Sequence, residues 1–143
     1  MVQSIIVARL YKHPLIWSNF FWIIPFFIAL YYSHYLLAVL PIFAMCFSIV
    51  RHATTSKITL HLDQIFATSY VLVGPYLLWQ VGLPTPGFQI SALITVFALS
   101  SLLYSNYVRD KYGPYAYMRV HKWWHISSSS MAVAVYLTYF GVL

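Results

Sequence analysis

Residues 14–50 read PLIWSNFFWIIPFFIALYYSHYLLAVLPIFAMCFSIV and contain no charged side chain. A bilayer core about 30 Å thick needs roughly 20 apolar residues for one helical crossing. The stretch is therefore too long for a single crossing and about right for two crossings joined by a tight turn. We place that turn at Tyr31-Tyr32-Ser33-His34, which predicts helices at about 14–32 and 35–52.

The rest of the chain predicts three more crossings. A polar connector at 53–61 leads to the third, and Pro84-Thr85-Pro86-Gly87 is a strong turn signal that closes it. A charged loop at 109–122, broken by Gly113-Pro114, separates the fourth crossing from the fifth. We therefore predict an all-α integral membrane protein, a five-helix transmembrane bundle in which residues 1–143 form one domain. The predicted helices lie at about 14–32, 35–52, 62–80, 87–106 and 121–143.

Three prolines, Pro25, Pro41 and Pro75, fall inside predicted helices. Proline removes one backbone donor and frees the carbonyl one turn earlier. Membrane proteins tolerate such kinks when neighbouring helices satisfy the freed carbonyls. We expect the same arrangement here.

The composition excludes an ordinary soluble domain. Hydrophobic residues make up 62% of the 143 residues and charged residues only 7%, whereas about a quarter of a typical soluble domain is charged. The net charge of +6 comes from cations at the ends of apolar runs, so it indicates membrane orientation and no nucleic-acid partner. The sequence predicts a short amphipathic lead at residues 1–13, and the long apolar stretch after it, without a small-residue cleavage site, predicts a retained anchor.

The distribution of cations predicts the orientation. With five crossings, the N-terminus, the second-to-third connection and the fourth-to-fifth connection share one side of the membrane. All eight Lys and Arg residues fall on that side, and cytoplasmic loops are enriched in these residues. We therefore predict a cytoplasmic N-terminus and a C-terminus outside, in a multi-pass protein. The eight cations are Arg9, Lys12, Arg51, Lys57, Arg109, Lys111, Arg119 and Lys122.

Five polar residues stand out near the predicted cytoplasmic ends of three helices: Ser48, His52, Asp63, His121 and His125. A buried charge costs about 2.5–3.5 kcal/mol at the centre of a membrane helix, so each such residue calls for a reason. Ser48 and His52 are four residues apart, as are His121 and His125, which places each pair on one helix face. We expect all five residues to converge in one shallow layer.

Three neutral imidazoles can bind zinc and leave a fourth tetrahedral position open for water, as in catalytic zinc sites. Zinc lowers the pKa of its water and polarises a carbonyl. Asp63 can then move the water's proton, and the Ser48 hydroxyl can donate to a developing oxyanion. Simpler interpretations stay open: Asp63 as a helix N-cap, Ser48 bonded to its own helix, and the histidines as interfacial residues. His61 is an alternative ligand, although its position in the connector favours a solvated side chain.

The pattern Ser48-x-x-x-His52, Asp63 eleven residues later and His121-x-x-x-His125 resembles the signature of the CREST superfamily of membrane hydrolases. That superfamily includes the alkaline ceramidases and the adiponectin-receptor (PAQR) proteins. The string His121-Lys122-Trp123-Trp124-His125 is most similar to the alkaline ceramidases, which carry two tryptophans between the histidines.

This resemblance implies zinc binding by His52, His121 and His125, proton transfer by Asp63 and oxyanion support by Ser48. It implies cleavage of an amide or ester bond in a membrane lipid such as ceramide. The family has seven helices, so a five-helix form predicts a lipid cavity that is thinner, open to the bilayer or completed by a second copy in a homo-oligomer. Alkaline ceramidases also bind calcium near the N-terminus, but no acidic residue precedes Asp63 here, and we expect no such site.

Two other functions stay open. In one, zinc holds three helices together in a lipid-binding or receptor-like membrane protein without catalysis. In the other, the protein is a haem-b electron carrier, although His121 and His125 share a single helix face. Trp123 and Trp124 fit a substrate wall as well as an interfacial aromatic belt, and we favour the belt. We expect Ser127–Ser130 to allow close helix packing. His34 is expected on the side of the membrane opposite to the site.

Overall fold

The computed structural model describes residues 14–53, 57–82 and 85–143, which are helical apart from short turns and include no strand. The described residues form five helices, so the all-α prediction is confirmed. A single 3-10 turn, Phe20–Trp22, interrupts the first helix. The helices are α1 Pro14–Tyr31, α2 Tyr35–Ala53, α3 Lys57–Val81, α4 Pro86–Tyr112 and α5 Pro114–Tyr139.

Two predicted turns are present where the sequence placed them. Ser33 has φ 57° between α1 and α2, and the left-handed backbone there reverses the chain. Gly113 has φ 82° between α4 and α5, a conformation that glycine adopts without a steric penalty. Proline then opens α5 at its first position, where a missing backbone N–H costs nothing. At the start of α4 the Thr85 hydroxyl accepts a hydrogen bond from the backbone N–H of Phe88 at 3.2 Å.

The helices are longer than predicted on the side that carries the cations. The third begins at Lys57 instead of 62, the fourth ends at Tyr112, and the fifth begins at Pro114 instead of 121. The predicted loop at 109–122 is thereby corrected to the single residue Gly113. Arg, Lys and Met favour helices, and a helix need not end where its apolar stretch ends. Residues 54–56 of the predicted connector lie outside the described part.

Helix α5 is the most enclosed element. It packs against α1, α3 and α4, while α2 packs between α1 and α3. Eleven residues of α5 are buried, including three of the four consecutive serines. Small side chains allow such close approach in membrane proteins. Helices α3 and α4 barely touch one another in the described part of the chain, which leaves a gap beside α5.

Two of the three prolines have freed carbonyls that α5 satisfies. Pro25 removes the i+4 helical donor of the Phe21 carbonyl, which instead accepts a backbone N–H at the end of the 3-10 turn and the Ser129 hydroxyl at 2.7 Å. Pro41 does the same to the Leu37 carbonyl, which receives the Tyr136 hydroxyl at 2.8 Å. The expected satisfaction of proline-freed carbonyls is confirmed at these two positions, and the bonds tie α5 to α1 and α2.

The surface of the helices fits a lipid environment. In the described part of the chain, α1, α2 and α4 are each long and apolar enough to cross a membrane. Large apolar side chains are exposed on every helix, among them Leu36 and Trp79 at 82% and 75%. An apolar surface of this extent is characteristic of contact with a membrane or another protein. The predicted N-terminal lead, with Arg9, Lys12 and His13, lies outside the described residues.

Candidate metal centre

Three histidines from two helices meet at one point. His52 lies in the last turn of α2, and His121 and His125 lie one turn apart on α5. One ring nitrogen from each can be chosen so that all three lie within 4.8 Å of one another. The ring centroids are 6.1 Å apart for His52 and His121, 5.3 Å for His52 and His125, and 4.9 Å for the α5 pair. The structure thus brings the three predicted ligands together.

The cluster fits a small metal ion. Imidazole nitrogens suit zinc, copper, iron and nickel, and tetrahedral zinc with Zn–N distances of 2.0–2.1 Å holds its nitrogens about 3.4 Å apart. Small side-chain rotations would bring the rings to that spacing. His125 is buried, and its Nε2 has no hydrogen-bond partner among the described residues. A buried imidazole nitrogen without a partner is costly unless something binds it, and a metal ion would do so.

Ser48 and Asp63 line the same polar cavity as two of the histidines. This cavity has a volume of about 340 Å³, and Ser48 lies one helical turn before His52 on α2. The Ser48 hydroxyl oxygen is buried and has no hydrogen-bond partner within the described ranges. It is therefore available to a bound molecule. The polar cavity is lined by residues of all five helices, including Asn19, Ser48, Arg51, Asp63, Asn106, Arg109, Tyr117, His121, Trp124 and His125.

Asp63 is held by an ion pair that the sequence did not suggest. Arg51 Nη1 lies 2.7 Å from Asp63 Oδ2, and the Asp63 side chain is only 12% exposed. A charge-assisted hydrogen bond of this length orients the carboxylate strongly. The second carboxylate oxygen, Oδ1, is not part of this pair. Arg51 therefore fixes the position of a second polar residue of the cavity.

His121 is enclosed by two further residues. Its Nδ1 lies 2.9 Å from the Ser105 hydroxyl oxygen on α4. On its face the Tyr117 ring stacks at a centroid distance of 4.4 Å and an interplanar angle of 26°. Tyr117 is one turn before His121 on α5, so the spacing alone allows that contact. Ser105 comes from another helix, and no local pattern indicates it.

An apolar groove continues from the polar cavity. It lies in the gap between α3 and α4, with α5 behind it, and has a volume of about 640 Å³. The two spaces share four lining residues: Tyr70, Val71, Trp124 and Met131. The groove is lined further by Gly74, Pro75, Leu78, Trp79, Phe88, Ala92, Val96 and Leu99. The apolar groove thus adjoins the polar cavity that His121 and His125 line.

The two tryptophans between the histidines have different environments. Trp123 is 53% exposed, as expected for an aromatic belt. Trp124 is half-buried and lines both the polar cavity and the apolar groove, as the wall alternative expects. Successive helical residues are about 100° apart, and His125 faces inward. The Trp124 side chain therefore points partly toward the interior and lines the polar cavity.

The other two histidines in the described part of the chain, His34 and His61, lie away from the cluster. His61 is exposed on α3 and does not belong to the group of three. His34 packs on the Tyr139 ring at a centroid distance of 5.7 Å, at the end of the molecule opposite to the site. Ser127, Ser128 and Ser129 are buried, as expected for close packing, whereas Ser130 is exposed.

Comparisons with models of protein families, with curated proteins and with solved structures give no match to this chain.

Proposed function

We propose that this protein is a zinc-dependent membrane hydrolase that cleaves an amide or ester bond of a lipid, and that it is a shortened, five-helix CREST-type protein. One observation carries the proposal. Ring nitrogens of His52, His121 and His125 lie within 4.8 Å of one another, next to a cavity lined by Asp63 and Ser48. Three nitrogen ligands and an open fourth position distinguish catalytic zinc from structural zinc.

We place all five helices across the membrane, with the N-terminus in the cytoplasm and the C-terminus outside. Helices α3 and α5 are not among the three helices in the described part of the chain that are apolar enough to cross a membrane by composition, and they hold Asp63 and the histidine pair. Polar residues inside membrane segments commonly mark functional sites.

The helix ends that carry Arg51, Arg109 and Arg119 lie at the same end of the bundle as the three histidines. At the opposite end, Tyr32 stacks on Phe140 at 4.3 Å, and the turn at 32–34 contains no Lys or Arg. The zinc site accordingly lies near the cytoplasmic face.

The chain supplies the groups that hydrolysis needs. Zinc, when bound, lowers the pKa of a coordinated water toward neutrality and polarises a carbonyl. Asp63 Oδ1, steadied by the Arg51 ion pair on Oδ2, takes the proton from the attacking water. Ser48 Oγ donates a hydrogen bond to the carbonyl oxygen as that oxygen becomes negative.

The same residues complete the reaction. The new bond joins the water oxygen to the acyl carbon, and the bond from that carbon to the leaving nitrogen or oxygen breaks. Asp63 returns the proton to the leaving atom, as general acid–base catalysis requires. The products are a carboxylic acid and an amine or alcohol. No oxidant or second substrate is needed.

The apolar groove supports a lipid as the substrate. Its volume of about 640 Å³ falls in the range of about 300–1,000 Å³ typical of ligand sites. Because the groove lies in the gap between α3 and α4, an acyl chain can enter sideways from the bilayer. Trp124 and Tyr70 line both spaces, so a chain in the groove would place its carbonyl beside the histidines.

The test is turnover of a fluorescent N-acyl amide lipid and its ester analogue in detergent micelles by the purified, zinc-loaded protein. Asp63→Asn should lower the rate by at least about 100-fold, the usual scale for losing a general base, while zinc content stays at the wild-type level. His61→Asn changes an exposed histidine outside the cluster and should leave both quantities unchanged.

Two results would contradict the proposal. One is wild type that holds zinc but hydrolyses neither lipid, and the other is Asp63→Asn with full activity. If a chelator then lowers the stability of the inactive wild type, the metal joins helices without catalysis. That outcome would favour the non-enzymatic lipid-binding alternative.

A further inference from the structure

His121 and Ser105 form a buried pair across α4 and α5. Ser105 has no exposed surface and His121 is 4% exposed. The Ser105 hydroxyl oxygen lies 2.9 Å from His121 Nδ1 and 2.8 Å from the carbonyl oxygen of Leu102, one turn earlier on α4. The hydroxyl therefore has two close partners and only one proton to share between them.

The positions of Ser105 Oγ, His121 Nδ1 and the Leu102 carbonyl oxygen determine which atom carries each proton. A backbone carbonyl oxygen can only accept a hydrogen bond. If the Ser105 proton pointed to His121, two sets of oxygen lone pairs would face each other across 2.8 Å. The hydroxyl therefore donates to Leu102, and its oxygen accepts the proton of His121 Nδ1–H. A neutral imidazole has a single N–H, so Nε2 of His121 holds the lone pair.

We infer that Ser105 is a positioning residue for the metal ligand His121. It selects the tautomer in which Nε2 is free of its proton and can bind the ion. The inference rests on the proposed zinc function, and it adds a residue to that site from a helix, α4, that supplies none of its ligands. Metal-binding histidines characteristically donate their second ring N–H to an acceptor in this way.

The surroundings of His121 support this role. Tyr117 stacks on one face of the His121 ring at a centroid distance of 4.4 Å, which limits tilting of the ring. The hydrogen bond to Ser105 limits rotation of the ring about the bond that joins it to Cβ. Without the Ser105 oxygen, the His121 Nδ1–H loses its hydrogen-bond acceptor, and the tautomer with the proton on Nδ1 is no longer favoured. A proton on Nε2 would then have to be lost or moved before the ion could bind.

The experiment compares three serine variants of the full-length protein in detergent. Ser105→Ala removes the acceptor, Ser105→Thr keeps a hydroxyl, and Ser101→Ala changes a serine one turn away whose hydroxyl bonds to Phe97. Zinc affinity is measured by competition with a chelator of known affinity. We expect Ser105→Ala to lose about 10–100-fold in affinity, Ser105→Thr to recover most of it, and Ser101→Ala to match wild type.

A second measurement does not depend on metal binding, and its wild-type result does not depend on how the variants fold. Nitrogen-15 NMR of histidine-labelled, metal-free wild type at a pH where the rings are neutral identifies which nitrogen of His121 is protonated. We expect the proton on Nδ1 in wild type and a shift toward Nε2 in Ser105→Ala. A wild-type proton on Nε2 would overturn the inference.

The outcomes separate this inference from the proposed function. Wild type that binds zinc, with Ser105→Ala binding it equally tightly, overturns the role of Ser105 and leaves the zinc site intact. Wild type that binds no zinc, but has the proton on Nδ1 of His121, overturns the zinc function and confirms the Ser105 bond that the geometry indicates.

Discussion

The hydroxyl of Tyr136 on α5 donates to the carbonyl oxygen of Leu37 on α2 at 2.8 Å, at the carbonyl that Pro41 deprives of its helical partner. Tyr70 lies 3.0 Å from the same hydroxyl and, since the Tyr136 proton is already used, donates to it. This chain of hydrogen bonds joins three helices close to the polar cavity. It therefore links the stability of the fold to the position of the site.

We predict that Tyr136→Phe destabilises the protein by about 0.6–1.7 kcal/mol, from the average to the largest value measured for hydrogen bonds between membrane helices. The substitution leaves the Leu37 carbonyl without a donor and the Tyr70 hydroxyl without an acceptor. Tyr76→Phe, at a tyrosine that is 62% exposed, should change stability far less. The measurement is the free energy of unfolding in mixed micelles, and equal losses for the two variants would contradict this explanation.

A double-mutant cycle tests the link to proline directly. Pro41→Ala restores the backbone N–H that normally bonds the Leu37 carbonyl in a helix. The cost of Tyr136→Phe should therefore be smaller in the Pro41→Ala background than in wild type. Such a coupling is what a shared carbonyl produces. Strict additivity of the two changes would show that the carbonyl does not connect them.

The two ion pairs in the described part of the chain should contribute differently to the free energy of unfolding. Arg51→Met leaves Asp63 unpaired at 12% side-chain exposure, and we predict a loss of about 1–3 kcal/mol. Arg109→Met breaks a pair whose side chains are 50% and 70% exposed, and exposed pairs contribute about 0–1 kcal/mol. Thermal unfolding of both variants provides the comparison. A larger effect at Arg109 would mean that Asp63 does not depend on Arg51.

Two glycines provide a matched test of helix packing. A Cβ added at Gly87 would lie 2.8 Å from both Thr138 Oγ1 and the Leu143 carbonyl oxygen, whereas one at Gly74 would come no closer than 4.0 Å to Val135. Gly87→Ala should destabilise the protein by about 1–3 kcal/mol through overpacking. Gly74→Ala should be neutral or stabilising, because alanine favours the helix by about 1 kcal/mol. A tolerated Gly87→Ala would show that the ends of α4 and α5 are less closely packed than described.

The sequence predicted the fold best where residues close together in the chain determine the backbone conformation. The turn before Tyr35 and the break at Gly113 could be predicted because turn residues interrupt the apolar runs there. The start of α5 at Pro114 could not, because hydropathy indicates where a helix meets lipid and not where its hydrogen bonds end. The helix that begins at Pro114 includes the charged residues Arg119 and Lys122, ahead of its apolar part.

The candidate site divides in the same way. His121 and His125 could be paired from their spacing, since residues four apart share a helix face, and His52 joined them through the expected sidedness. Ser105 and Arg51 could not be assigned. Ser105 is one of several serines in α4, and its contact with His121 depends on how two helices pack. In the sequence, the position of Arg51 at the end of an apolar run is explained by the expected orientation in the membrane. Its ion pair with Asp63 depends on how α2 and α3 pack, so the sequence did not predict it.

The most direct test of the central claim is the zinc content of the purified protein, measured by elemental analysis beside His121→Ala, His125→Ala and the exposed control His61→Ala. The account predicts close to one zinc per chain in wild type and in His61→Ala, and loss of that zinc in the other two variants. Wild type without zinc, or zinc retained in both His121→Ala and His125→Ala, would contradict it.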